Sequence, residues 1–471
     1  MENEIVTKQT KLAILAVALL SFLGILVETS LNVTFPTLTE EFNVSLGTMQ
    51  WATSGYLLMV TVVMSASGHL IKKFKAQHLF RIAVLFFITG TILCASAVSF
   101  PMLMTGRLLQ AVSTGLSTPL MFQIILSLVP QSKMGVYMGI GSMVNSFAPA
   151  LGPTYGGLFT SFLSWRAIFF IAIPIILVSI WLGGRNIQLE AVGTKQRFDW
   201  IGLVLLSWVF VSLSVAFANA GNNGFYSLSF FSLLAIFIVG IIALFVHYHF
   251  SEKKILNFSL LLRPIIGLRW LNFFILQFIN IGISFVLPIL AQDYLNTEPF
   301  IAGLILLPGS LLGAAIAPVA GRLYDRRGIF LPLTIANISM FLGCWLFYFG
   351  TPVLSISSMV LIYIFLRVGF NFGFGNTLSD ASRQVSIEEK ADINSLFNTF
   401  QQYAGSIGTS VLSAIISSVQ LRQDAASGLL TAQGSQIDFV LLAILAGIGL
   451  LTVFISQHLK RKDAPLDSLS K

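Results

Sequence analysis

The chain has 471 residues, of which 56% are hydrophobic and 10% charged, and its mean hydropathy is +0.86. That is too little charge to cover a soluble domain of this length. The net charge of +8 does not point to nucleic acid, because the basic residues follow a topological pattern rather than a patch.

Apolar runs of about 18–25 residues, each able to cross about 30 Å of hydrocarbon as a helix, recur along the chain. They fall near 12–34, 50–70, 80–98, 102–127, 135–160, 166–184, 200–219, 226–248, 268–291, 301–320, 331–350, 355–378, 394–419 and 438–458. The expectation is an all-α membrane protein of about 14 transmembrane helices. The first run is too long for a signal peptide and lacks a small-residue cleavage site, so it reads as an uncleaved span. Cys94 and Cys344 fall in different spans and read as packing thiols rather than a disulfide.

An even number of spans with both termini cytoplasmic accounts for the charges. Every Lys and Arg then lies in a cytoplasmic segment except Arg107 and Arg367 within spans and Arg166 and Arg422 outside. The outer loops carry Glu40, Glu41, Asp293, Glu298, Asp424 and Asp438. This is the positive-inside pattern of a multi-pass cell-membrane protein.

The two halves are weakly alike. GHLIKKFK (68–75) follows the second span and GRLYDRRG (321–328) the tenth, each expected in a cytoplasmic loop. TGRLLQAVSTG (105–115) and FLRVGFNFGFG (365–375) each carry an Arg with a Gly eight residues later. The simplest organisation is a six-helix bundle over 1–185, a linker with two inserted helices over 186–250, and a second six-helix bundle over 251–471. Linkers are expected at 185–200 and 247–258. Repeated helical halves with a site between them at the midplane are the architecture of secondary transporters.

Three ionisable groups remain deep in spans: Glu28, Arg107 and Arg367. Each costs at least roughly 2.5–3.5 kcal/mol at a helix centre, so each needs a reason to be there. Glu28 lies eight residues before Pro36 and Arg107 six after Pro101, placing both at similar depth. Glu28 shares a helix face with Ser21, Gly24 and Asn32, and Arg107 with Gln110, Thr114 and Ser117; both stripes read as walls of a polar cavity. Glu28 is either half of a structural ion pair or a proton carrier that burial and Arg107 pull in opposite senses. Arg107 reads as gate, partner, substrate contact or structural residue. Arg367 has no acid at its depth: it either reaches the interface by snorkelling or leaves an unneutralised positive site. Asn272, Gln277, Asn280, Asn371 and Asn376 are further cavity candidates, with interhelical hydrogen bonding as their ordinary explanation.

No GxxxxGK[ST] loop occurs, and all five His lie near cytoplasmic helix ends, so neither ATP hydrolysis nor an intramembrane metal or His-based catalytic site is expected. No repeated filter signature suggests a channel. Coupling to an ion gradient remains, with no cofactor and no enzymatic activity.

GRLYDRRG resembles the loop signature of the major facilitator superfamily, and GRLLQ the Arg-bearing motif of its proton-coupled members. ALGPTYGG (150–157) is similar to the antiporter motif of the fifth span. With VETSLNVTFP, QWATSGYLL, WRAIFFIAIP, LPILAQDYL and GLILLPG, the chain resembles the fourteen-span drug:proton antiporter family over nearly its whole length. The resemblance implies a monomeric exporter exchanging protons for small amphipathic compounds. Glu28 takes the place of the family's usual Asp and, with Arg107, would couple protons. Gly152, Pro153, Gly156 and Gly157 would form the antiporter motif, and Gly321, Arg322, Asp325, Arg326 and Gly328 the gating loop. In the first loop copy Lys72 and Lys75 depart from the expected Asp and Gly, and Ala148 replaces a Gly before the antiporter motif. The alternatives are an exporter of a native metabolite, lipid or fatty acid, and a non-transporting sensor on the same fold.

Overall fold

The computed structural model describes residues 6–130, 133–189, 198–251, 255–386, 389–422 and 425–462. Parts of both predicted linkers (190–197 and 252–254) and the outer-loop acid Asp424 lie outside the described residues.

Each predicted apolar run becomes one long helix, because backbone N–H and C=O groups in hydrocarbon must be satisfied within their own segment. In chain order the helices are α1 (Lys8–Phe42), the short α2 (Leu46–Met49), α3 (Trp51–Lys73), α4 (Ala76–Ala95), α5 (Phe100–Leu128), α6 (Met134–Phe162) and α7 (Ala167–Asn186). There follow α8 (Trp200–Asn223), α9 (Leu228–Phe250), α10 (Pro264–Asp293), α11 (Pro299–Arg327), α12 (Phe330–Gly350), α13 (Ile356–Arg383), α14 (Lys390–Gln420) and α15 (Ser427–Lys462). No strand occurs among the described residues. Among the described residues, by length and composition, twelve of the helices are apolar enough to cross a membrane, α6 and α14 not being among them.

Helix ends differ most from expectation. α1 continues through Pro36 to Phe42, where Asn43 closes it in the left-handed conformation (φ 49°). Pro36 lacks a hydrogen bond to the preceding turn, and the helix accommodates it. Glu28 thus lies 14 residues from the end of α1, or about 21 Å, nearer mid-helix than the Pro36 boundary implied. The two signature segments are also mostly helical: α3 runs to Lys73 and α11 to Arg327, with only Phe74 and Lys75 between α3 and α4. Gly328 supplies the positive φ (71°) that ends α11.

α1 and α3–α7 pack as one bundle, with α1 against α5, α6 and α7; α10–α15 form a second, with α10 against α13, α14 and α15. The bundles meet along two seams, α6–α11 and α3–α14, with α1 touching α10 between them. Among the described residues, the hydrogen bonds joining the halves all lie toward the end away from the termini. Gln292 Nε2 donates to the Val33 carbonyl (2.8 Å) and the Phe300 N–H to Ser161 Oγ (3.0 Å). On the other seam the Ser406 hydroxyl donates to the Ser54 carbonyl (2.8 Å), and Ser410 donates to Gln50 Oε1 (3.4 Å). This far end is closed. α8 lies against α14 and α3, where Phe210 stacks on Tyr403 at 4.0 Å, and α9 packs on α8 with only 11% of its apolar window buried.

Candidate functional site

In the first half the predicted polar residues converge on Tyr56 of α3. Its hydroxyl donates to the Gly24 carbonyl of α1 (3.0 Å) and bonds Thr114 Oγ1 of α5 (2.6 Å). The Arg107 guanidinium carbon lies 4.0 Å from the Tyr56 ring centroid, a buried cation–π contact. Arg107 is fully buried: Nε donates to the Ala52 carbonyl (3.1 Å), Nη1 donates to Gln110 Oε1 (3.0 Å), and Nη2 has no partner. Glu28 sits one turn from Gly24 and is 7% exposed. Among the described residues it forms no ion pair, so the Glu28–Arg107 bridge of the structural alternative is not made in this state, although the two charges are near enough to interact through space.

The stripes expected to wall a cavity are largely spent inside this half. Ser21 bonds Thr118 (2.6 Å), Asn32 Oδ1 accepts from the Thr53 hydroxyl (2.8 Å), and Gln110 Nε2 donates to Thr91 on α4 (2.9 Å). Asn32, Gln110 and Thr114 are buried and hold α1, α3, α4 and α5 in register around the Glu28–Arg107 region.

α6 brings its glycines up to that region. A methyl group at Gly152 would overlap the Thr29 side chain, and one at Gly156 would overlap the Ser30 carbonyl, both within two residues of Glu28. Gly157 faces the other way, onto the Pro299 carbonyl of α11, and a methyl group at Gly303 would overlap the Pro153 carbonyl. The absence of side chains is what lets one turn of α6 touch both halves at once.

In the second half Gln277, Asn280, Arg367 and Asn371 come together between α10 and α13. Arg367 Nη1 donates to Asn280 Oδ1, the Asn371 amide donates to the Arg367 carbonyl (2.9 Å), and Asn280 Nδ2 reaches Gln277 Oε1 (3.5 Å). The guanidinium lies 5.2 Å from the Phe370 ring, and its buried Nε has no partner. Among the described residues no carboxylate neutralises it. Asn272 and Asn376 serve interhelical packing instead, donating to the Gly449 carbonyl (2.8 Å) and the Ala320 carbonyl (3.1 Å).

At the terminal end Asp325 pairs with Arg383 of α13 (3.0 Å), and Arg383 lies over the Tyr324 ring at 4.7 Å. Gly321 has open space around it, and Arg322 and Arg326 are exposed on the last turns of α11.

Sequence reasoning missed three features. Arg269 and Asp380 form a buried pair at 2.7 Å, with Ser456 accepting from Arg269 (2.8 Å) and Lys460 at 3.4 Å from Asp380. Tyr56 is the hub of the first half. Asp438, expected in an outer loop, is fully buried in α15. Its predicted run began at 438, whereas the helix begins at Ser427; this corrects the loop assignment. Among the described residues no group of three His, Cys, Asp or Glu could hold a metal ion, and Cys94 and Cys344 are buried free thiols.

A family model described as Major Facilitator Superfamily matches residues 17–409. The chain is 34% identical over 451 residues to the lincomycin resistance protein LmrB of Listeria innocua, covering 93% of this chain and 94% of that one. It is 31% identical to the protein of the same name from Bacillus subtilis, covering 95% of each. A crystal structure of a bacterial homolog of the human lysosomal transporter Spinster, inward-facing and unoccupied, superimposes with a TM-score of 0.69 at 14% identity, covering 98% of this chain and 99% of that one.

Proposed function

Given that the chain belongs to the Major Facilitator Superfamily, we propose that it is a cell-membrane exporter of amphipathic drugs or toxic compounds, driven by proton antiport through alternating access. The observation that carries the reading is a buried acid, Glu28, unbridged beside Arg107, whose Nη2 has no partner. The spare donor of Arg107 would receive an ionised Glu28, while a protonated Glu28 would leave it idle. The resistance proteins named above support a drug as cargo. The placement of Lys and Arg supports cytoplasmic termini, which makes the closed far end external.

Compound would enter from the terminal end with Glu28 ionised. The halves would then part at the far end, a proton from outside would neutralise Glu28, and the compound would leave. Coupling requires the two ligands to bias the states oppositely. The glycines of α6 would keep the far seam tight, so that protons do not leak past the compound. A second reading, export of an anionic native amphiphile such as a fatty acid, is favoured by Arg367 and its lack of a carboxylate partner.

Proteoliposomes with an imposed pH gradient test the proposal across cationic, zwitterionic and anionic compounds. Wild type should concentrate substrate and release protons when substrate is added in detergent. Glu28→Gln should fold and still bind uncharged compounds, yet lose uphill transport and proton release. Uphill export by Glu28→Gln at the normal rate would place the carrier elsewhere.

A further inference from the structure

Asp438 takes no part in that mechanism, and it is the most anomalous group in the molecule. It is 0% exposed, and neither of its carboxyl oxygens has a hydrogen-bond partner. The hydroxyl of Ser435, one turn away on the same face, is equally buried and equally unpartnered. A charge in such a place is held only with a counter-ion, and a neutral acid needs none.

Among the described residues no cation is placed to serve. α15 packs against α10, α12 and α14. α12 carries no charged residue, its titratable groups being Cys344 and Tyr348. On α10, Arg269 is engaged by Asp380 at the terminal end, and Asp293 accepts from the Thr431 hydroxyl (3.1 Å). On α14 the charges, Lys390 and Asp392, lie in the first turn, and Tyr403 is turned to Phe210. On α15 itself the described charged group, Lys460, reaches Asp380, and His458 is also near the terminal end.

A polar route nevertheless leads out. Asp293 is partly exposed at the far end; Thr431, Ser435 and Asp438 then follow along one face of α15, each about one turn deeper. The same region is tied to the moving seam. α14 holds α3 through Ser406 and Ser410 on one side, and on the other its Ile416 backbone lies against Gly434 of α15, where a methyl group would meet Ile416 Cα at 2.7 Å. α14 thus bears on the far seam with one face and on the helix of Asp438 with the other.

We propose that Asp438 is a second proton-binding site, in the opposite half from Glu28, loaded from the far end through Asp293, Thr431 and Ser435 and occupied while the far seam is closed. The proton bonds to one carboxyl oxygen and returns as the ion to water, with no other reactant. This holds whether or not Glu28 is the transport carrier, because the test reads protonation directly.

Infrared difference spectroscopy on the full-length protein in nanodiscs provides it. At neutral pH, wild type and Glu28→Gln should both show a neutral-carboxyl C=O band that shifts in heavy water, and Asp438→Asn should lose it, with about one proton per chain fewer bound. Asp438→Glu should move the band rather than abolish it, which guards against a misfolded Asn variant. A wild-type spectrum that Asp438→Asn leaves unchanged would overturn the proposal. So would a band present in choline buffer and abolished by sodium or potassium, which would identify a monovalent-cation site instead.

Discussion

Arg269 and Asp380 show what single residues contribute here. Their side chains are 2% and 8% exposed, and they tie α10 to α13 by one bond of 2.7 Å. Removing one partner of a buried pair strands the other, at a cost of roughly 3–5 kcal/mol, whereas replacing both with apolar groups of similar size is often close to neutral. Asp380→Asn should therefore lower Tm in detergent sharply, and the double variant Arg269→Met, Asp380→Leu should recover most of the loss; equal Tm values for both would contradict the assignment. The same pair marks where sequence reading stops. Glu28 and Arg107 stood out because a lone charge inside an apolar run has no bland context. Arg269, Asp380 and Asp438 lie where hydropathy falls away, and there a buried polar residue cannot be told from a loop. Those helix turns persist because neighbouring helices, not lipid, cover them: α10 starts at Pro264 rather than 268, α13 ends at Arg383 rather than 378, and α15 starts at Ser427 rather than 438. Tyr56 sits inside the quoted QWATSGYLL segment, but nothing there set it apart, since an aromatic residue in a span is ordinary and only its partners make it a hub.

α6 carries the argument for elements. Gly156 and Gly157 are consecutive, so they point to different neighbours, α1 and α11, and the helix fills the space between the halves. A methyl group at Gly157 must displace the backbone of α11, while one at Gly156 must displace the backbone of α1, within the same half. Gly157→Ala should therefore favour the state in which the far seam is parted, and Gly156→Ala should mainly disturb the packing around Glu28. A single cysteine at Gln50, fully buried in the other seam, reports the difference. An impermeant thiol reagent should label it about tenfold faster in Gly157→Ala, a shift near 1.4 kcal/mol; an unchanged rate would show that α6 does not hold the seam. The existence and order of the long helices were readable from hydrophobic runs alone, because a span must satisfy its own backbone. Their pairing was not, because a stripe of small residues does not name its partner.

At the scale of the whole molecule the halves are alike in plan and unlike in charge. Arg107 on α5 and Arg367 on α13 occupy matching places, yet among the described residues an acid stands near the first alone. The terminal-end motif is likewise uneven, with Asp325 paired to Arg383 in the second half and Lys72 at the matching place in the first. Both partners of the Asp325 pair are more than 60% exposed, so the bond contributes only ~0–1 kcal/mol to stability. Asp325→Asn should accordingly leave Tm unchanged and slow turnover by altering the balance of states, with substrate affinity retained; normal turnover would remove the motif from the cycle. The inserted pair adds a further inequality. α8 lies along the α3–α14 seam with α9 packed outside it, and among the described residues no such helix covers the α6–α11 seam. For a lipophilic molecule already dissolved among the acyl chains, the protein is thus a room with one shuttered side: on one flank the inserted helices stand in front of the seam, and on the other the α6–α11 seam itself meets the acyl chains.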